Sequence, residues 1–105
     1  MDRLNDLRTK IKAYFQEMTK VSFSPPTLKY VIVADQETDN YLLIVAGQQG
    51  AKRTYRVDIH LRIQSDKVYL LETNTDWNVL EDLVDAGIAQ EDVVDATQNL
   101  DLIPQ

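Results

Sequence analysis

The chain has 105 residues and a mass of 12.1 kDa, which is the usual size of a single domain. Hydrophobic residues make up 44% of it and charged residues 27%, a composition that can bury a core and excludes general disorder. The absence of cysteine excludes disulfides, thiolate metal sites and cysteine nucleophiles. We therefore expect one globular domain over residues 1–105.

Charge is unevenly distributed along the chain, whose formal net charge is −6. Residues 1–67 hold all 11 basic residues and eight acidic ones, whereas residues 68–105 hold nine acidic residues and no basic one. Such a C-terminal third repels phosphate, which argues against coating of DNA, and it could attract a basic protein. An ordinary solvated acidic surface is the simpler alternative.

The first predicted element is an amphipathic helix over residues 3–20, with Asp2 as its N-cap. Its apolar residues recur at spacings of three and four and are Leu4, Leu7, Ile11, Tyr14, Phe15 and Met18. The helix must end before Ser24-Pro25-Pro26, because consecutive prolines remove amide donors and favour extended backbone. This stretch is predicted to be a linker.

Four strands are predicted next, at residues 28–34, 40–46, 53–64 and 67–72. The short turns between them indicate antiparallel neighbours. In the third strand the apolar side chains alternate with polar ones and are Tyr55, Val57, Ile59, Leu61 and Ile63. We therefore expect this set to face the core, and the intervening Arg56, Asp58 and His60 to face water.

Two C-terminal helices complete the prediction. Thr75 or Asp76 caps a helix that includes Trp77, and Gly87 follows its end as a left-handed residue. A second helical element is expected around residues 90–94, followed by a tail with short-range structure. The order α-β-β-β-β-α-α predicts an α+β fold with a four-stranded, mainly antiparallel sheet.

Residues that could carry catalysis are few. Asp58 and His60 lie two apart on a strand, so a proton relay is conceivable. However, the sequence has no serine in a nucleophile elbow and no second histidine. One histidine with one carboxylate is also a poor ligand set for a metal. We therefore favour a polar, solvated strand face, with no catalytic, metal or cofactor site.

A basic stripe on the third strand is the candidate contact surface for a partner protein or a nucleic acid. Its residues are Lys52, Arg53, Arg56, His60 and Arg62. Tyr55 would stack on bases only from the same face, and its parity predicts the opposite one. The preceding loop, residues 47–50, leads into a strand rather than a helix, so it is predicted to be a hairpin and not a phosphate cradle.

The chain resembles the XisI family, the fdxN-element excision controlling factor proteins of cyanobacteria, over roughly residues 1–95. The matching positions are Asp39, Tyr41, Leu42, Gly47, Gly50, Arg53, Tyr55, Ile59-His60-Leu61, Asp66-Lys67-Val68, the Thr75 region, Leu83, Gly87 and Glu91-Asp92-Val93-Val94. Gln48 departs from the pattern, where relatives carry Trp, and so does the segment after Val94.

This resemblance implies a small cytoplasmic protein without catalytic residues, which assists a separate recombinase in excising a DNA element. It also implies a companion of the XisH type, an endonuclease-like protein. We accordingly expect an accessory factor that binds a partner protein and not DNA. A nucleic-acid-binding module that uses the basic stripe is the alternative.

Self-association is expected as well. Three of the predicted strands carry apolar residues on both faces, for example Tyr30 and Ile32 opposite Val31 and Val33. A two-fold interface commonly covers such a surface, which predicts a homodimer. If the helices instead cover both faces of the sheet, the monomer would be self-sufficient.

Overall fold

The computed structural model describes residues 2–21, 23 and 27–104. Its elements are α1 (Arg3–Met18), β1 (Leu28–Asp35), β2 (Asn40–Gln49), β3 (Lys52–Gln64), β4 (Lys67–Thr73), α2 (Val79–Asp85) and β5 (Val93–Asp95). Two short 3₁₀ turns, Gln90–Asp92 and Leu100–Leu102, flank β5. The predicted linker Ser24-Pro25-Pro26 lies outside the described residues.

The strands form one sheet in the order β1-β2-β3-β4-β5. Neighbours from β1 to β4 are antiparallel, as predicted, whereas β5 pairs parallel with β4. Residues 65 and 66 turn β3 into β4 with positive φ at both positions, and Gly50 at φ 60° turns β2 into β3. The hairpin prediction for residues 47–50 is therefore confirmed.

The C-terminal prediction is partly wrong. The expected second helix around residues 90–94 is a single 3₁₀ turn followed by β5, because β-branched Val93 and Val94 pair with Val68 and Tyr69 of β4. The sheet consequently has five strands and not four. The helix before it begins later than expected, because the side chain of Asn78 provides the cap by accepting from the amide of Glu81.

The core lies between the two helices and one face of the sheet, which we call the helix face. Residues on α1 and α2 join the central strands in one cluster, comprising Leu7, Ile11, Phe15, Met18, Tyr41, Leu43, Ile59, Leu61, Ile63, Val68, Leu70, Val79, Leu83 and Ile88. Both helices therefore cover the same face. We call the opposite face the outer face.

Candidate partner-binding surface

All five candidate contact residues lie on β3, but a β-bulge divides the strand. Leu43 of β2 lies opposite Ile59 and the next residue, Ile44, lies opposite Val57, so Asp58 is the extra residue. On the N-terminal side of the bulge, each side chain of β3 therefore lies on the face opposite to the one that a regular alternation would give it. The regular alternation that the sequence predicts along β3 is therefore interrupted.

The bulge places Arg56 on the helix face. Arg56 lies opposite Val45, which in turn lies opposite Tyr30, a residue that packs against the core. Lys52 has the same parity and lies on the same face. Only Arg53, His60 and Arg62 of the five candidates therefore share the outer face.

Tyr55 lies on the outer face, which corrects the prediction that it faces the core. It lies opposite Ala46 and its side chain is 59% exposed. The Arg53 guanidinium carbon lies 5.2 Å from the centre of the Tyr55 ring, a cation-π distance. The exposed ring therefore lies on the same face as Arg53, although the alternation along the sequence predicted opposite faces.

Asp58 is buried, with 2% of its surface exposed, which corrects the prediction that it faces water. Its Oδ1 accepts from Nε of Arg56 at 3.0 Å, and its Oδ2 accepts from the hydroxyl of Tyr30 at 3.3 Å. Burial, together with this carboxylate, raises the pKa of Tyr30 to about 12. The two partners account for a buried charge that would otherwise be costly.

His60 lies on the outer face, opposite Leu42 and Glu72. Its Nε2 lies 2.9 Å from Oδ1 of Asn40, and burial followed by the positive charge of Arg62 lowers its pKa. Because Asp58 points to the helix face, the structure does not bring the two residues of the conceivable relay together. The expectation that Arg56 and His60 stay partly exposed is confirmed.

Val57 lies opposite Ile44, so the bulge places it on the outer face as well and corrects the prediction that it faces the core. We call Arg53, Tyr55, Val57, His60 and Arg62 the β3 outer surface. The single acid of β3 is Asp58, and the bulge turns it to the other face. Arg62 lies opposite Asn40 and Tyr69, and within the described ranges its buried Nε has no hydrogen-bond partner. The surface is consequently basic and contains an exposed aromatic ring.

Several groups of the acidic C-terminal third bind residues of α1 within the molecule. Arg3 at the start of α1 forms an ion pair with Asp92, and Nζ of Lys10 donates to the carbonyl oxygen of Gly87 at 2.9 Å. The hydroxyl of Tyr14 donates to Asp82 at 2.8 Å. Part of the acidic C-terminal third therefore binds α1 and is not free for a basic partner.

Sequence reasoning missed one polar cluster, which joins α1 to the turn between β1 and β2. Arg8 donates to Asp39 and to the carbonyl oxygen of Gln36, and Tyr41 donates to Asp39. The family resemblance had marked Asp39 and Tyr41 without giving them a role. Arg8 is one of several charged residues on an amphipathic helix, so no feature of the sequence distinguishes it from the others.

Residues 2–21, 23 and 27–104 contain no group of three or more His, Cys, Asp or Glu side chains placed to hold a metal ion. The same ranges contain no helix that is long and apolar enough to cross a membrane.

Comparison with known proteins identifies relatives over nearly the whole chain. The model of the XisI protein family matches residues 1–102. The crystal structure of a XisI-like protein from Anabaena variabilis ATCC 29413 is 30% identical, with a TM-score of 0.77, and the match covers 87% of this chain and 84% of that one.

A second crystal structure, of the fdxN element excision controlling factor XisI from the same organism, is 26% identical with a TM-score of 0.74. That match covers 98% of this chain and 100% of the other. No curated protein matches the chain. The extent of the family match, supported by both structures, shows that the chain belongs to the XisI family.

Proposed function

We propose that this chain is a non-enzymatic accessory factor that assists excision of a DNA element by binding a partner protein. The family is named for an excision controlling factor, which supports the general role. An XisH-type protein is the partner that the family resemblance implies. The observation that supports a binding role is the β3 outer surface, which α1 and α2 leave open.

Tyr55 is the central residue of the proposed contact. An exposed tyrosine beside an arginine is a typical energetic centre of a protein interface, since both side chains bury a large area and donate hydrogen bonds. Arg53 adds a positive charge beside the ring, which a partner carboxylate could pair with. The favoured partner surface is therefore acidic and contains an apolar depression for the ring.

Binding of the purified chain to an XisH-type protein tests this proposal by calorimetry. Tyr55→Ala should weaken binding by about tenfold or more. Val21→Ala is the matched control, because Val21 is 44% exposed and follows α1, which packs on the helix face. Equal affinities for the wild type and Tyr55→Ala would contradict the proposed surface.

A nucleic-acid-binding role is the second candidate, and one observation favours it. The bulge places Tyr55 on the same face as Arg53 and Arg62, which is the combination that a stacked, single-stranded nucleic acid requires. The acidic C-terminal third argues against it, because its nine carboxylates repel phosphate. We therefore rank this role below the binding of a partner protein.

A gel shift with the purified chain at physiological salt separates the two roles. Retention of DNA by the chain alone would contradict a role restricted to a partner protein. If nucleic acid is retained, Arg53→Glu with Arg62→Glu should abolish retention and flatten its salt dependence. Lys52→Glu is the control, because Lys52 is exposed and lies on the helix face of the same strand.

A further inference from the structure

The two edges of the sheet differ in length and regularity. β5 offers three residues at one edge, whereas β1 offers eight at the other. β1 pairs with β2 over its whole length without a break in register, and it contains no proline. Within the described ranges no strand pairs with its free edge. Such an edge is a template for another strand.

We propose that the free edge of β1 pairs antiparallel with β1 of a second copy of this chain, around a two-fold axis at Ile32. The product would be one continuous ten-stranded sheet with both pairs of helices on the same side. The inference concerns β1 alone and does not depend on the proposed function, because the β3 outer surface stays free.

Charge along β1 is self-complementary in this register. Tyr30 and Ile32 face the core, so Lys29, Val31, Val33 and Asp35 lie on the outer face. With Ile32 opposite Ile32 of the second copy, Lys29 lies opposite Asp35 of that copy, and the reverse pair forms by symmetry. Hydrogen bonds from Thr38 and Glu37 to Asp35 lower its pKa, which favours the charged form that this pair requires.

Apolar surface is matched as well. Val31 and Val33, which are 38% and 39% exposed, lie opposite each other across the two-fold axis and form two cross-strand valine pairs. On the helix face the large side chain of Tyr30 lies opposite the small, exposed Ala34 of the second copy. Exposed valines at an unpaired edge are otherwise a liability, which this pairing removes.

Other registers are poorer. A centre at Val31 places Lys29 opposite Val33, and a centre at Val33 places Val31 opposite Asp35, so both lose the ion pairs. Registers that place an odd-numbered residue opposite an even-numbered one turn the second copy over, so that the outer faces of the two copies lie on opposite sides of the joint sheet. The centre at Ile32 is the register that pairs both charges and both valines.

The first test is the mass of the purified full chain by light scattering across a concentration series. We expect a mass twice 12.1 kDa for the wild type. Lys29→Glu places two like charges at each former ion pair and should raise the dimer dissociation constant by about tenfold or more. Lys67→Glu is the control, since this lysine is also exposed and lies on β4, which β2 and β3 separate from β1.

The exchange Lys29→Glu with Asp35→Lys should restore the wild-type mass, because the charges are again opposite. A constant mass of 12.1 kDa for the wild type would overturn the proposal. So would unchanged association of Lys29→Glu. Asp35 also accepts from Thr38 Oγ1 at 2.7 Å, so replacement of Asp35 loosens the turn as well. A second measurement therefore tests the register while Asp35 is kept.

The second test uses disulfide cross-linking, for which the cysteine-free wild type is an ideal background. A mixture of Val31→Cys and Val33→Cys chains should cross-link under mild oxidation, because these positions are directly opposite, at about 4.5–5.5 Å between Cα atoms. Either chain alone should cross-link far more slowly. Efficient cross-linking of Val31→Cys alone, or of a Tyr55→Cys chain, would indicate another interface and overturn the proposal.

Discussion

Arg8 in α1 and Asp39 in the turn between β1 and β2 form a two-point ion pair. Nε of Arg8 lies 2.7 Å from Oδ1 of Asp39, and Nη2 lies 3.1 Å from Oδ2. The hydroxyl of Tyr41 donates to the same Oδ1 at 3.1 Å, and burial together with this carboxylate raises the pKa of Tyr41 to about 12. The pair thus connects the helix to the sheet at the end where β1 turns into β2.

We expect Asp39→Asn to lower the free energy of unfolding, because it removes the charge that Arg8 and Tyr41 bind. Asparagine tolerates the φ of 56° at this position, so backbone strain does not obscure the result. Chemical denaturation of Asp39→Asn, Arg8→Gln and the double variant measures the coupling. Strictly additive losses would show that the two side chains do not act together.

Leu61 and Tyr55 test the assignment of faces on β3. Leu61→Ala should reduce the free energy of unfolding by about 2–5 kcal/mol, because Leu61 is fully buried in the core cluster. Tyr55→Ala should change it by less than about 0.5 kcal/mol, since the side chain is on the open outer face. The opposite ranking in thermal or chemical denaturation would mean that the faces are reversed.

Stability should fall at acid pH partly through His60. Its pKa in the folded protein is below the ordinary value of about 6.5, so the unfolded chain takes up the proton more readily. The contribution is therefore present above that ordinary value and is lost as pH falls through the folded pKa. Arg62 reinforces the effect, and Glu72 opposes it.

His60→Gln should accordingly lose less stability than the wild type when pH falls from neutral into the acid range. Denaturation at a series of pH values measures the two slopes. Glutamine keeps a side-chain amide within reach of Asn40, which limits the change to the titration itself. Identical slopes would show that His60 does not contribute to the pH dependence.

Gly47 permits β1 to approach β2 closely. A Cβ at this position would lie 2.3 Å from the carbonyl oxygen of Thr27 and 2.9 Å from Cα of Leu28, so the backbone would have to move. Gly47→Ala should therefore destabilise the protein and loosen the start of β1, as amide exchange of that strand would detect.

Gly50→Ala is the control for that experiment. A Cβ there meets nothing within 4 Å, so its cost is limited to the left-handed backbone at φ 60°, about 1–2 kcal/mol. A loss for Gly50→Ala as large as that for Gly47→Ala would show that the contact with β1 does not determine the effect.

The elements that local patterns specify could be predicted from the sequence. Apolar spacing predicts α1, and the structure confirms Asp2 as its cap, with the side chain accepting from the amide of Asn5. Gly87 adopts φ 105° after α2, as its position predicted. Both depend on residues within one or two turns of the chain, where propensity and hydrogen bonding act locally.

The candidate surface depended on contacts that local patterns do not contain. The alternation of apolar and polar residues along β3 is regular in the sequence. Asp58 is an extra residue only relative to the partner strand β2, so the periodicity of β3 does not reveal the bulge. Similarly, β5 exists because Val93 and Val94 find hydrogen-bond partners on β4.

The sequence by itself determined the α+β class, the order of α1 and the first four strands, the uneven charge and the identity of Ile59 and Leu61 as core residues. These follow from composition and from spacing along the chain. Only the tertiary structure decided that Tyr55 joins Arg53 and Arg62 on the outer face and that Asp58 is buried and binds Arg56 and Tyr30. The physical reason is that strand faces and buried ion pairs depend on partners distant in sequence, whose register is set when the sheet and helices pack together.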